Sequence, residues 1–265
     1  MSNAQQEEQD LIIQDEGFVR LLTLNRPHRR NALSEQLKMK LMNAILDAEE
    51  DPGIRVLVIT GAGEDAFCSG GDLKNINQND QAGVKYRTPM NRVERNIFEF
   101  IYEVKKPVIA AINGSAVAGG FELALACDLR ITHEEAKFGL PETKIGMGAN
   151  FGSVMLPRLI GLTHALEMLM TGEYITAQRA NELGLINRIV PKNAVLATAM
   201  EMAKKIADNA PISVRRVKAV AIKGLDMPVH AALRQDPGLN PYLSEDRKEG
   251  IAARLEKRKP VRKNC

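Results

Sequence analysis

Two glutamates and a pair of glycine-rich loops carry the chemistry that this sequence offers. Over residues 106–142 the chain reads KPVIAAINGSAVAGGFELALACDLRITHEEAKFGLPE. The short apolar run after Pro107 has the pattern of a buried strand. Asn113-Gly114 and Gly119-Gly120 interrupt it with turn signals, and an apolar, helix-forming stretch follows over 121–127. The order is therefore strand, glycine loop, helix N-terminus. Such a loop leaves backbone N–H groups unpaired where the helix dipole adds positive potential. Glu122 falls in the first turn of that helix, and Glu142 follows twenty residues later in a Gly-Leu-Pro-Glu loop. Anion-stabilising N–H groups beside two carboxylates suit proton transfer next to a carbonyl. Taken singly, each glutamate has a plain structural reading. The helix dipole alone favours one in a first turn, and one in a Pro-Glu loop is ordinarily solvated. The combination is what is specific.

The same layout occurs upstream. RVLVIT followed by GAGEDAFCSGGD is again a strand, a glycine loop and the start of a helix near Asp72. Two such units side by side would each aim one N–H at a common point. Ahead of them, 11–15 and 18–24 flank Glu16-Gly17 as a hairpin. Ser34 is a good N-cap for a helix reaching about Glu50, with Leu37, Leu41, Ile45 and Ala48 on one face. Residues 75–89 are polar without periodicity and are expected to form a mobile connection, and 90–103 a helix. Beyond the glycine-containing loop 147–152, helices are expected over 152–160, 163–170, 177–183 and 193–207, with a strand at 186–190. A last helical set starts at Ile212. Ser244, Glu245 and Asp246 make a capped, acidic start for its final helix, and Lys257, Arg258 and Lys259 sit at the C-terminal end that the dipole prefers.

With 265 residues, 45% hydrophobic and 26% charged, the chain reads as one large globular domain with at most a small appendage. No apolar run approaches the roughly 18 residues that span a bilayer. The first ten residues, MSNAQQEEQD, are polar and acidic and are expected to be a disordered leader rather than a signal peptide. Cys68, Cys127 and Cys265 are odd in number and lack metal-ligand spacing, so free thiols and a reducing, cytoplasmic location are expected. The net charge of +3 is unevenly divided. Residues 247–265 hold eight Lys or Arg and two Glu, a net of +6, which leaves −3 for the rest. Aromatics are 4% with no Trp. A basic nucleic-acid face and base-stacking platforms are therefore not expected.

Three weaker motifs fall away. GAGEDA (61–66) matches a dinucleotide fingerprint, but Phe67-Cys68-Ser69-Gly70-Gly71 prolongs the loop where a helix should open. His28, His133, His164 and His230 show no metal-ligand spacing. Ser69 and Ser115 lie in glycine loops, but there is no G-x-S-x-G elbow.

AFCSGGDLKNI (66–76), KPVIAAINGSAVAGGFELALACDL (106–129) and FGLPETKIG (138–146) resemble the crotonase family, also called the enoyl-CoA hydratase/isomerase family. TLNRPHRRNALS near the start and EKRKP near the end fit too, so the resemblance spans about 11–259. It implies an α/β fold, a spiral of repeated β-β-α units over 11–195, followed by a C-terminal helical trimerisation region over 196–265. It implies trimers or pairs of trimers, an acyl-CoA thioester substrate, and no metal or redox cofactor, CoA arriving as part of the substrate. The resemblance places an oxyanion hole on the backbone N–H groups of Gly71 and Gly119. It makes Glu122 and Glu142 the pair that handles one water, Glu122 activating it and Glu142 protonating the α-carbon. For CoA it points to Arg29, Arg30, Ala32, Ala66, Ser69, Gly70, Asp72, Leu73 and Lys257, the last by a tail lysine that reaches a phosphate.

The expected reaction is reversible hydration of 2-enoyl-CoA to 3-hydroxyacyl-CoA. The chain departs from the usual hydratase pattern after Gly146, where MGANFGSV is one residue shorter and sets Asn150 and Phe151 where small residues are usual near the acyl group. That departure leaves the acyl group open, and a dehydratase or isomerase on the same scaffold with it. GGFELALA is also similar to carnitinyl-CoA dehydratases. A non-catalytic scaffold or RNA-binding member is the alternative of another class, and the intact glutamate pair argues against it.

Overall fold

A computed structural model describes residues 9–84, 95–238 and 240–264. Strands β1 (Leu11–Glu16) and β2 (Val19–Leu24) form the expected hairpin, with Gly17 at φ +60° in its turn. Helix α1 (Glu35–Glu50) begins where Ser34 Oγ accepts the Leu37 N–H at 3.1 Å, and it buries Leu37, Leu41, Ala44, Ile45 and Ala48. Next come β3 (Val56–Gly61), β4 (Ala66–Cys68), α2 (Leu73–Gln81), α3 (Ile97–Glu103), β5 (Val108–Ala111), β6 (Ser115–Val117), α4 (Gly119–Ala126), β7 (Leu129–Thr132) and β8 (Lys137–Gly139). A 3-10 turn, Pro141–Ile145, leads to α5 (Asn150–Ile160) and α6 (Leu162–Thr171). Then follow β9 (Ile175–Thr176), α7 (Ala177–Glu182), β10 (Arg188–Ile189), α8 (Val195–Ala207), α9 (Pro211–Gly224), α10 (Val229–Ala232) and α11 (Glu245–Leu255).

The strands divide into two sheets. The larger has the order β1-β2-β3-β5-β7-β10 and the smaller β4-β6-β8-β9. Each of the pairs β3/β4, β5/β6 and β7/β8 gives one strand to each sheet, so the chain advances as a spiral of like units, and only β1 and β9 run antiparallel to their neighbours. Parallel strands of this kind are covered on both faces, which is why RVLVIT reads as a continuous apolar run. Leu57 and Ile59 point into the core shared with α1, α3 and α4. Val56 and Val58 point the other way, against Val195, Ala199, Met200, Ala203 and Ala207 of α8. The packed sheet therefore extends through α8, and the more open helices start at Pro211.

Two stretches differ from expectation. The helix expected to start near Asp72 runs on over 75–81, in place of the expected connection: Asp72 caps α2 by accepting the Lys74 N–H at 3.2 Å, and the helix buries nothing, which is why no apolar period marks it. Residues 85–89 of the expected connection lie outside the described ones. The helix expected over 90–103 starts at Ile97, where Asn96 and Glu99 form a capping box; residues 90–94 lie outside the described ones, as do residues 1–8 of the expected leader. Among the described residues no helix is long and apolar enough to cross a membrane.

Candidate active site

The glycine loops meet because their strands pair. β3 lies beside β5, with Leu57 opposite Val108, and β4 beside β6, with Ala66 opposite Ser115. Both loops therefore leave the sheets on the same side. In each, a residue in the left-handed region precedes the glycine that the resemblance singled out: Gly70 at φ +90° before Gly71, and Ala118 at φ +52° before Gly119. Glycine takes such a φ without penalty, whereas alanine is strained by it. The close approach is tight. A Cβ on Gly119 would lie 3.5 Å from Gly70 Cα and 3.7 Å from Gly71 N, and one on Gly120 would lie 2.0 Å from Cys68 O. Among the described residues, neither the Gly71 nor the Gly119 N–H has a backbone acceptor. Gly119 opens α4, so the helix dipole adds to its N–H.

Glu122 stands one turn into α4 and is only 6% exposed. Its Oε1 accepts the Gly152 N–H at 2.8 Å, and the Phe151 N–H also favours its charge. It thus caps α5, whose own N-cap residue, Ala149, has no side-chain acceptor. Burial pushes the Glu122 carboxyl up to about 7, the two amides oppose that, and the charge of Glu142 adds to it. Glu142 lies in the first turn of the 3-10 segment, 7% exposed, and burial raises its carboxyl as well. Its Oε2 is buried without a hydrogen-bond donor among the described residues.

The segment around Arg29, Arg30 and Ala32 is brought against this site. Ser69 N–H donates to Arg30 O at 3.0 Å, Ser69 Oγ lies 3.4 Å from Arg29 O, and Leu33 N–H donates to Gly70 O at 2.7 Å. Ala66 and Gly70 are buried, while Leu73 is exposed on α2. Asp72 is engaged in the fold. Burial raises its carboxyl, but Arg26 at 3.1 Å and the N–H groups of Asn75 and Lys74 more than offset this and hold it below the ordinary range. Lys257 follows α11 at φ +55°, and no contact among the described residues joins it to the group. Three contributors escaped the sequence reading. Asn31, fully buried, accepts the Arg26 N–H and donates to Ala62 O and Ala66 O, pinning one loop to the other. Phe98 and Tyr102 of α3 pack against Phe151, with ring centroids 5.9 and 6.1 Å apart. A lone buried Asn has no periodicity to betray it, and the two rings are spaced like any helix face. Cys68 and Cys127 are free and buried, which pushes both thiols up to about 12; Cys265 lies outside the described residues.

The family model described as enoyl-CoA hydratase/isomerase matches residues 14–264. The chain belongs to that family. It is 41% identical to the (E)-benzylidenesuccinyl-CoA hydratase of Thauera aromatica over 92% of this chain and 95% of that one. It is 35% identical to the crotonyl-CoA hydratase of Syntrophomonas wolfei over 95% and 96%. The crystal structure of an enoyl-CoA hydratase from Bacillus anthracis superimposes with a TM-score of 0.90, at 38% identity over 97% of this chain and 100% of the other. Within the family, these relatives set the chain among the enzymes that hydrate enoyl-CoA.

Proposed function

We propose that the chain hydrates 2-enoyl-CoA thioesters reversibly to 3-hydroxyacyl-CoA, with Gly71 and Gly119 holding the thioester oxygen and Glu122 and Glu142 handling the water. The observation that carries this is the meeting of two unpaired N–H donors with two buried carboxylates. Water adding to the β-carbon drives negative charge onto the thioester oxygen. A preorganised backbone donor there is worth about 2.7–4 kcal/mol in the transition state. Glu122, poised near neutrality and fixed by the α5 amides, takes the proton from water as oxygen bonds to the β-carbon. Glu142 gives a proton to the α-carbon, and its unpaired Oε2 is the oxygen free to accept a hydrogen bond from the water. Polarisation comes from the N–H pair, so the reading needs no resident metal or redox cofactor.

CoA lies along the 66–73 loop, and Arg29, Arg30 and Lys257 meet its phosphates. Replacing Lys257 by Ala should then raise KM for CoA thioesters more than it lowers kcat. The protein works in the cytoplasm as a homotrimer or a pair of trimers. Leu233, Leu243 and Leu255, each more than three-quarters exposed in one chain, lie in the C-terminal region that would be covered. Mixing the protein with crotonyl-CoA and following the enoyl-thioester absorbance tests the reaction. The expected result is loss of the signal; no change with crotonyl-CoA or longer enoyl thioesters would overturn it.

A further inference from the structure

The residues that hold the reacting atoms say nothing of the acyl chain beyond them, and the two relatives above are named for very different acyl groups. The structure does show what lies in that direction. Helix α3 crosses α4 at its N-terminus, and Phe98 and Tyr102, one turn apart, face the site. The ring edge of Phe98 is so placed that a Cβ on Gly119 would stand 3.4 Å from its Cζ. The Phe151 ring packs against Phe98, tilted by 42°, and against Tyr102 in an edge-on arrangement at 70°. The backbone of Phe151 is itself one of the two amides that hold Glu122. One aromatic cluster therefore borders both the N–H of Gly119 and the Glu122 carboxylate. Phe151 is 8% exposed and packed into the main core, so its ring cannot swing aside without opening a cavity. Phe98 is half-buried and presents the accessible edge.

We infer that Phe98, backed by Phe151 and Tyr102, closes the acyl end of the site and selects short 2-enoyl thioesters over long ones. The inference rests on the thioester oxygen meeting Gly119 and the β-carbon facing Glu122. In that pose, carbons beyond the β-carbon enter the space that the rings border. A methyl group there makes favourable contact with ring edges. A longer alkyl chain must displace Phe98 against Phe151, a ring that Tyr102 and the core hold in place. Pocket discrimination of this kind is worth about 10–200-fold per misfit group. Phe98 contributes shape alone and touches no proton in transfer.

The test compares butyryl-CoA with octanoyl-CoA, which bind without reacting, by calorimetry on the intact protein and on Phe98→Ala and Phe98→Leu. Hydration of crotonyl- and 2-octenoyl-CoA is measured on the same samples. The parent should bind butyryl-CoA at least as tightly as octanoyl-CoA. Phe98→Ala should improve octanoyl-CoA relative to butyryl-CoA by about tenfold, with Phe98→Leu between the two. The kcat/KM ratio for the two enoyl substrates should move in the same sense. An unchanged ratio in folded Phe98→Ala and Phe98→Leu overturns the inference, as does a parent that already prefers octanoyl-CoA. A parent that hydrates neither substrate, while the binding ratio still shifts as expected in the Phe98 variants, overturns the proposed reaction and leaves the assignment of Phe98 standing.

Discussion

The two strand–loop–helix units present the same backbone device and differ in nearly everything around it. In the first, Gly70 takes the left-handed φ ahead of Gly71; in the second, Ala118 takes it ahead of Gly119. The helices that follow differ more. α2 buries none of its residues, whereas α4 buries every residue from Gly120 to Ala126. The carboxylates at their starts follow suit. Asp72 is tied to Arg26 and to N–H groups, which hold its carboxyl below the ordinary range, while burial raises that of Glu122 to about 7. In the proposed reaction the first unit is a rim that would contribute one donor and a flank for the ligand. The second is part of the core and would fix a donor and an acid-base group in one rigid body. On that reading, chemistry that needs angular precision falls to the buried unit.

The largest expected effect separates the two carboxylates. Glu122→Gln should lower kcat for crotonyl-CoA hydration by about 10²–10⁴-fold, the usual worth of a positioned proton-transfer group. Asp72→Asn keeps a residue able to cap α2 and should leave kcat close to that of the parent. Steady-state kinetics on both variants decides it, and equal losses of kcat would break the distinction between rim and core.

Backbone packing gives the next contrast. A methyl group on Gly120 would strike the carbonyl of Cys68 at 2.0 Å, whereas one on Gly71 would touch, among the described residues, only Ile76 Cδ1 at 3.4 Å. Gly120→Ala should cost about 3 kcal/mol or more, because backbone cannot give way as a side-chain tip can. Gly71→Ala should denature in urea close to the parent midpoint. A Gly120→Ala protein of parental stability would show that α4 is not held where the structure has it.

How far this was legible in the sequence follows the same division. The core unit announced itself: Val108–Ala111, the turn glycines and the apolar run into α4 each carry a local signal, and Glu122 and Glu142 stand out against them. The layout of the rim unit could be read too, down to the start of α2 near Asp72, but not how far that helix runs, since a helix without a buried face leaves no period. The strands β4, β6 and β8 are three residues each, set within or beside glycine loops, too short for alternation to show. Register is a long-range property, so the sequence could suggest two donors but not that β3 pairs with β5. The family resemblance supplied the roles of Gly71 and Gly119; the motif chemistry alone reached only as far as an anion-binding loop beside two acids.

The two carboxylates should also pull stability in opposite directions with pH. Glu122 is raised from 4.5 to about 7, so the folded chain keeps a proton there that the unfolded chain loses. Its contribution is fully present below pH 4.5 and is lost as pH rises through about 7, a change of about 3 kcal/mol. Asp72 is lowered from 3.8, so its contribution is present above that value and is lost as pH falls through its folded pKa. Glu122→Gln should therefore gain stability relative to the parent between pH 5 and pH 8. Asp72→Asn should be less stable than the parent at pH 8 and approach it in acid. Melting temperatures from pH 8 down to below pH 3.8 test both, and a Glu122→Gln difference that does not change with pH would remove the buried charge from the account.

The smallest effect concerns the residue that aims the second donor. Ala118 sits at φ +52° and ψ −133°, a conformation that suits glycine and costs a side-chain-bearing residue about 1–3 kcal/mol. Its place is enforced by the Ala118 N–H to Gly139 O hydrogen bond at 2.9 Å, and its Cβ would stand 2.8 Å from one added on Gly70. Ala118→Gly should relieve the strain but add about 0.5–1 kcal/mol of unfolded-chain freedom. The net gain is about 1 kcal/mol, or about 2–4 °C in Tm for a chain of this size. In the rim unit the reverse exchange, Gly70→Ala, should destabilise, since its Cβ would lie 2.8 Å from Gly119 N at a φ of +90°. If strain at Ala118 serves to fix the Gly119 N–H, the more stable Ala118→Gly protein should also have the lower kcat, because the peptide ahead of the donor gains freedom. A variant that is both more stable and fully active would show that the alanine does nothing for the donor, and one that melts below the parent would show that the strain is absent.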